Sequence, residues 1–319
     1  MVNISIPDDQ PPLIADSPAL ARLRAATGAE VALWDTRPTD EVELLERISN
    51  AHTVICIRSS SRFTRHVIES SPELRHIARW GPGVDNIDLD AASRMKITVT
   101  NTPDTATEAV AEHCLALMLA VARKVPELDA RVRAGEWPRG LLTQLSGKTL
   151  GIVGTGLIGK RLARIAQGIG MNVIAWTRTP DEEWAAANQV TYAELPLLLR
   201  ESDVISLHLR LSDETRNIIG SDEFAVMKPN AILINVARGG LINENALANA
   251  LRDGSIASAG LDTFADEPLA TDSQLRDLPN AIFSPHTAGT TAEALTASLE
   301  MVVDNTLQFM AGSPQHSVI

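Results

Sequence analysis

Only two cysteines occur in the 319 residues. Cys56 sits in an apolar strand-like run and Cys114 on the apolar face of a helical pattern, so both read as buried small hydrophobes, and neither a disulfide nor a metal site is expected. Positive charge is also in short supply: 28 Lys and Arg stand against 40 Asp and Glu, a formal net charge of -12. That balance argues against nucleic acid or an anionic membrane as a general partner, because both demand a basic footprint, while leaving room for a local pocket that takes a small anion. No apolar stretch approaches the length of a membrane span. The first residues carry Asp8 and Asp9 and no basic cluster, unlike a signal peptide, so a cytoplasmic protein is expected. Solenoid-length repeats and low-complexity tracts are missing too.

The chain is rich instead in short apolar runs. Hydrophobic residues make up 45% of it, enough for two buried cores, and the length predicts about two domains. Strand-like runs at 31–34, 53–57, 77–78 and 97–100 alternate with helical patterns such as 41–48 and 65–70, which is α/β wrapping around parallel strands. A proline turn at Asn101-Thr102-Pro103-Asp104 precedes a helical pattern through Ala122, read as a crossover between domains with an exposed apolar face. From Leu150 onward strand and helix repeat, with strands expected at 150–153, 172–176, 204–208, 231–235, 258–262 and 281–284. The reading is α/β with two doubly wound parallel-sheet domains, one flavodoxin-like and one Rossmann. The final helix, about 292–310, could return to the first domain, giving boundaries of 1–100 plus 291–319 for a substrate domain and 101–290 for a cofactor domain.

Gly154-Thr155-Gly156-Leu157-Ile158-Gly159 lies between an apolar strand and a helical pattern. The first glycine suits a tight turn, the second lets backbone approach a pyrophosphate, and the third allows close packing of helix on strand. The helix start then offers unpaired N–H groups and a positive dipole end to phosphate. In open parallel sheets ligands bind beyond the carboxyl ends of strands. Three polar residues follow strand ends there: Arg238, Glu267 and His286. A histidine can exchange a proton with a carbonyl oxygen near neutral pH, a neighbouring glutamate would favour the imidazolium and orient it, and a guanidinium suits a carboxylate. With a nicotinamide present, these are the parts of a reversible ketone reductase.

Asn235-Val-Ala-Arg-Gly-Gly-Leu-Ile-Asn243, Gly260-Leu-Asp-Thr-Phe264, Glu267-Pro268 and Ser284-Pro-His286 resemble the D-isomer-specific 2-hydroxyacid dehydrogenases. Arg79-Trp-Gly-Pro-Gly-Val-Asp-Asn-Ile-Asp88, Val99-Thr-Asn-Thr-Pro103, Glu108-Ala-Val-Ala-Glu112 and Leu145-Ser-Gly-Lys-Thr-Leu-Gly-Ile-Val153 extend the resemblance almost end to end. It implies His286 as acid/base, Glu267 as its partner and Arg238 as the substrate clamp. It further implies cofactor contacts from Gly154, Gly156, Leu157, Ile158 and Gly159, from Thr177, Arg178, Leu209 and Arg210, and from Val236, Ala237 and Asp262. Backbone amides around Gly83 and Val84 would bind the substrate carboxylate from the other domain, with the cleft between domains closing on it. A homodimer is also implied, the 104–122 helix being a candidate arm. No metal is.

Ile57-Arg58-Ser59-Ser60-Ser61 resembles the Arg-Ser segment of phosphoglycerate dehydrogenases, so Arg58 and Ser59 either face the far end of a phosphorylated or acidic substrate or form a solvated strand end and loop. Arg58, Trp80 and Trp137 are candidates for setting pocket size. His208 is taken as structural. Neither the long insertion nor the regulatory domain of some serine-pathway relatives is expected.

An NAD enzyme usually ends its second strand in Asp or Glu, which accepts from the ribose 2′-hydroxyl. Here Thr177 and Arg178 stand in that place, and Arg210 follows His208-Leu209 where the family commonly has proline. A hydroxyl and guanidinium groups suit a 2′-phosphate, so NADP(H) is favoured and NAD(H) stays open. The expected activity is hydride transfer between a nicotinamide cofactor and a small D-2-hydroxy or 2-oxo acid such as hydroxypyruvate, glyoxylate or a 3-phosphoglycerate-like compound. The alternatives are a dinucleotide-sensing protein resembling the C-terminal-binding corepressors and a formate- or phosphite-type dehydrogenase.

Overall fold

Continuous apolar runs, rather than alternating ones, are what a parallel sheet buried on both faces requires, and they become the strands here. A computed structural model describes residues 3–319, which divide into two compact units, one running to Ala106 and completed by Thr290–Ile319, the other Thr107–Gly289.

The first unit is a five-stranded sheet of β1 (Asn3–Ile6), β2 (Glu30–Leu33), β3 (Thr53–Cys56), β4 (His76–Arg79) and β5 (Thr98–Thr100). Its order is β2-β1-β3-β4-β5 with every pairing parallel, the flavodoxin-like arrangement. Between the strands lie α1 (Pro18–Thr27), α2 (Glu41–Ile48), α3 (Arg65–Glu69) and α4 (Leu89–Arg94). Ser17, Asp40, Thr64 and Asp88 cap these helices, each side chain accepting from a first-turn amide, which satisfies a donor that the helix itself cannot. The last helix, Ala292–Met310, adds Leu299, Val302 and Val303 to the core formed by Ile4, Ile6 and Leu20. β1, α1 and α4 are absent from the sequence reading. They are short or of mixed polarity, and their burial comes from what packs over them.

The second unit opens with α5 (Thr107–Ala122) and α6 (Val125–Arg133) and then builds a seven-stranded parallel sheet. Its elements are β6 (Thr149–Val153), α7 (Leu157–Gly168), β7 (Asn172–Trp176), α8 (Glu182–Ala187), β8 (Thr191–Tyr192), α9 (Leu195–Glu201), β9 (Val204–Leu207), α10 (Ser221–Val226), β10 (Ile232–Asn235), α11 (Glu244–Asp253), β11 (Ser258–Leu261) and β12 (Ala281–Phe283). The order β12-β11-β10-β9-β6-β7-β8 is a Rossmann sheet with an added edge strand, and its strand order reverses at β6.

Two expectations change. The crossover helix begins at Thr107, because Pro103 and a left-handed Asp104 at φ 63° interrupt the chain before it. It is also no exposed arm: Ala111, Cys114, Leu117 and Met118 are buried. A Cβ on Gly260 of β11 would lie 3.2 Å from the Leu117 Cβ and 3.3 Å from Val121 Cγ2, so helix and strand pack as closely as glycine allows. Leu119 of the helix is exposed, and more exposed apolar side chains follow it: Val125, Val132, Trp137 and Leu141. Cys56 and Cys114 are free and buried, and burial pushes both thiols up to about 12.

Candidate functional site

At the carboxyl end of β6 each glycine of the turn has its own reason. Gly154 is left-handed at φ 108°, its N–H donates to the Trp176 carbonyl at 2.7 Å, and a Cβ on it would meet the His208 carbonyl carbon and oxygen at 2.8 Å. A Cβ on Gly159 would lie 2.1 Å from the Gly154 oxygen, so only glycine lets α7 sit on the turn. Around Gly156, by contrast, a Cβ would meet nothing within 4 Å. Gly156 is the N-cap of α7 without a side-chain cap, so no cap side chain takes the first amides of that helix, as an anion site needs. Leu157 is exposed and Ile158 half-buried. These features fit a dinucleotide pyrophosphate.

What braces this turn comes from residues distant in the chain. Thr155 Oγ1 lies 2.8 Å from the hydroxyl of Tyr192, the only tyrosine of the chain, and that hydroxyl also accepts from the Asp181 N–H at 3.3 Å. Arg178 is exposed, and its Nη2 lies 2.8 Å from Glu214 Oε2, an ion pair across two loops that a linear reading cannot find. Thr177 and Leu209 are half-buried and Arg210 is exposed. His208 is half-buried, its Nε2 lies 2.9 Å from Ser206 Oγ, and desolvation pushes its pKa down to about 4, so it is neutral near pH 7.

Beyond β10, Asn235 stitches the next turn, donating from Nδ2 to the Arg238 carbonyl at 2.8 Å and accepting the Ala237 N–H at 3.0 Å. Val236 is buried, and Arg238 Nη1 donates to the Ala237 carbonyl at 2.8 Å. A Cβ on Gly239 would lie 1.9 Å from the Phe264 carbonyl carbon, which brings the Arg238 turn against the 264–267 loop. Glu267 Oε1 accepts the Phe264 N–H at 3.1 Å, and Oε2 lies 2.7 Å from His286 Nδ1. Burial pushes the Glu267 carboxyl up, but the hydrogen bond and charge of His286, the Phe264 amide and the Arg238 guanidinium outweigh it and hold the group below the usual carboxylate range. An ionised carboxylate only accepts. Nδ1 therefore carries the proton it shares with Glu267, and Nε2 is the nitrogen left to exchange one.

Asp262, expected at the cofactor, braces the chain around His286. It is wholly buried, and its carboxylate accepts Ser284 Oγ at 2.6 Å and the amides of Thr287 and Ala288 at 2.9 Å. Its carbonyl accepts the His286 N–H at 2.8 Å, and His286 is left-handed at φ 54°. His113 Nε2, 2.8 Å from Ser284 Oγ, completes the group.

The first unit holds the remaining candidates at the ends of β3 and β4. The Asp8 carboxylate accepts the amides of Ile57 and Arg58 at 2.9 and 3.0 Å, and burial pushes its pKa up. Arg58 is half-buried, with Nη2 donating to the Pro11 carbonyl at 2.5 Å. Ser59, Gly83 and Val84 are half-buried, and Asn86 ties their loops together, donating to the Ser61 carbonyl at 2.7 Å. Trp80 is half-buried, whereas Trp137 is 74% exposed.

The pattern described as "D-isomer specific 2-hydroxyacid dehydrogenase, NAD binding domain" matches residues 115–288. A glyoxylate reductase of Thermococcus litoralis is 41% identical over 293 residues, covering 89% of this chain and 88% of that protein. The chain belongs to the D-isomer specific 2-hydroxyacid dehydrogenase family. A D-3-phosphoglycerate dehydrogenase of Methanocaldococcus jannaschii is 40% identical across 100% of the chain, which spans 59% of that relative. An acyclic imino acid reductase solved with NADPH and D-Arg superposes with a TM-score of 0.89 at 28% identity, covering 100% of both chains. As a member of this dehydrogenase family, the chain is an oxidoreductase of small 2-hydroxy or 2-oxo acids that uses a nicotinamide cofactor.

Gly159→Ala is expected to fold poorly and lose dinucleotide binding, since the added methyl collides with backbone and overpacking costs about 1–3 kcal/mol. Gly156→Ala should keep wild-type stability and lose dinucleotide affinity alone. Thermal melts alongside nucleotide titration separate the two.

Proposed function

We propose that the chain reduces a small 2-oxo acid to the D-2-hydroxy acid, with His286 as the acid/base, Glu267 as its orienting partner and Arg238 as the carboxylate clamp. The observation that carries this reading is the 2.7 Å pair of His286 Nδ1 and Glu267 Oε2, set beside the Arg238 turn by Gly239. A bound nicotinamide would supply or accept the hydride. In the reductive direction His286 Nε2 delivers a proton to the carbonyl oxygen, while Glu267 holds the ring and offsets the charge that the imidazolium carries. Arg238 pairs with the substrate carboxylate and draws electron density from the adjacent carbonyl.

The Thr107–Gly289 unit is the cofactor domain in this reading and the rest of the chain the substrate domain. Gly154, Gly156, Leu157, Ile158 and Gly159 would hold the pyrophosphate, and Thr177, Arg178 and Arg210 favour NADP(H). Arg58, Ser59 and the Gly83 and Val84 amides would meet the substrate. Relatives are named both glyoxylate reductase and D-3-phosphoglycerate dehydrogenase, and Arg58, which commits a guanidinium donor to the Pro11 carbonyl, supports an unphosphorylated acid such as glyoxylate or hydroxypyruvate.

A homodimer completes the proposal. α6 has no buried residue and carries exposed Val125 and Val132, with exposed Trp137 and Leu141 just beyond it. Such a cluster of apolar side chains marks an association surface.

With glyoxylate or hydroxypyruvate and NADPH, His286→Ala should lower kcat about 10²- to 10⁴-fold, and Arg238→Gln should raise KM for the oxoacid as well, both retaining NADP⁺ binding in a fluorescence titration. Wild-type turnover faster with NADH would reject the NADP(H) preference, and undiminished kcat in His286→Ala would reject the assignment of the acid. In sedimentation equilibrium the wild type is expected at twice 34.3 kDa, and Trp137→Glu together with Leu141→Glu should bring it to the monomer mass. A monomeric wild type would remove the dimer.

A further inference from the structure

Two loops flank the glycine turn, one on each side of β6. β7 ends at Trp176, whose carbonyl takes the Gly154 amide at 2.7 Å, so Thr177 and Arg178 leave the sheet beside the turn. On the other side the His208 amide donates to the Val153 carbonyl at 2.8 Å, and the His208 backbone lies so close to Gly154 that no Cβ would fit. The 208–214 loop thus leaves β9 against the opposite flank of the same turn. β7 and β9 are both neighbours of β6, so their ends stand about 10 Å apart, twice the strand spacing. The Arg178–Glu214 pair closes that gap at 2.8 Å.

Glu214 is not placed there by chance rotation of a loose loop. Thr215 is buried, and its hydroxyl donates to the Arg210 carbonyl at 2.7 Å while accepting the Ser212 amide at 2.8 Å, which fixes the turn that presents Glu214. The guanidinium in turn holds the Glu214 carboxyl below the usual range. Both side chains keep about half or more of their surface in solvent, 52% and 67%, so the pair is a reversible strap and no part of the core.

We propose that Glu214 is a specificity-determining residue for the dinucleotide, acting as the resident partner of Arg178 that a 2′-phosphate must displace. This rests on the reading that the second unit binds a nicotinamide dinucleotide with Arg178 at the 2′-phosphate end. A phosphate carries roughly twice the charge of a carboxylate and more acceptor oxygens, so it takes the guanidinium, but its net gain is reduced by the pair it breaks. A dinucleotide with a free 2′-hydroxyl leaves the pair in place. Glu214 then offers that ribose the acceptor carboxylate that position 177, a threonine, lacks. One side chain therefore weakens NADP(H) and supports NAD(H), narrowing the discrimination between them.

Calorimetric titration of NADP⁺ and NAD⁺, without substrate, into the full-length wild type, Glu214→Gln, Arg178→Gln and the double variant tests this. Glu214→Gln should bind NADP⁺ roughly 1.5- to 5-fold more tightly and NAD⁺ no more tightly than the wild type does. Arg178→Gln should weaken NADP⁺ by about tenfold or more, and adding Glu214→Gln to it should bring no recovery. Unchanged NADP⁺ affinity in Glu214→Gln overturns the inference, as does equal tightening in the Arg178→Gln background, which would mark a general charge effect. If the wild type binds neither nucleotide, the underlying cofactor reading fails along with it.

Discussion

The site hangs on one buried carboxylate. Asp262 ends β11, and its two oxygens take the Ser284 hydroxyl and the amides of Thr287 and Ala288, while its carbonyl takes the amide of His286. Those four bonds bracket a histidine at φ 54°, a left-handed conformation that costs a side-chain-bearing residue of order 1–3 kcal/mol. The clamp offsets that cost and turns the imidazole toward Glu267. Ser284 has a single proton and gives it to Asp262, so it must accept from His113, whose Nε2 therefore carries a hydrogen. The chain from α5 through Ser284 and Asp262 to His286 is a proton-ordered scaffold, and it presents one ring nitrogen of His286 to Glu267.

The same economy of backbone appears at the glycine turn. Gly154 and Gly159 are glycines because other backbone occupies the space a Cβ would need, and Gly156 because the space beside it must stay open. Close packing and open space are thus divided among three positions of one turn, and the loops that flank it carry the Arg178–Glu214 pair. Arg178, Arg210 and Arg238 stand just past strand ends in a chain of net charge -12, so the overall charge says nothing about the local one.

Much of this was legible in the sequence because it is local. Parallel strands buried on both faces read as runs such as Val204–Leu207 and Ile232–Asn235, and the GxGxxG spacing fell between such a strand and a helix. Arg238, Glu267 and His286 stood out as polar residues just past strand ends, and the structure brings the last two to hydrogen-bonding distance. What escaped notice depends on residues far apart in the chain. Glu214 meets Arg178 across 36 positions, and Tyr192 meets Thr155 across 37. Asp262 entered as a cofactor contact through the family resemblance, and its bonds to Ser284, Thr287 and Ala288, 22 to 26 positions on, are visible only in the fold. Similarly, the apolar face of α5 reads as exposed until β11, with Gly260 opposite Leu117, supplies what covers it.

In the proposed reaction the clamped His286, paired with Glu267, protonates a carbonyl as hydride arrives on one face. Incubating the purified protein with hydroxypyruvate and reduced nicotinamide, then resolving the glycerate enantiomers by chiral chromatography, tests it most directly. The account predicts D-glycerate alone, formed mole for mole with oxidised cofactor. L-glycerate, a racemate, or oxidation of the cofactor without glycerate would contradict it.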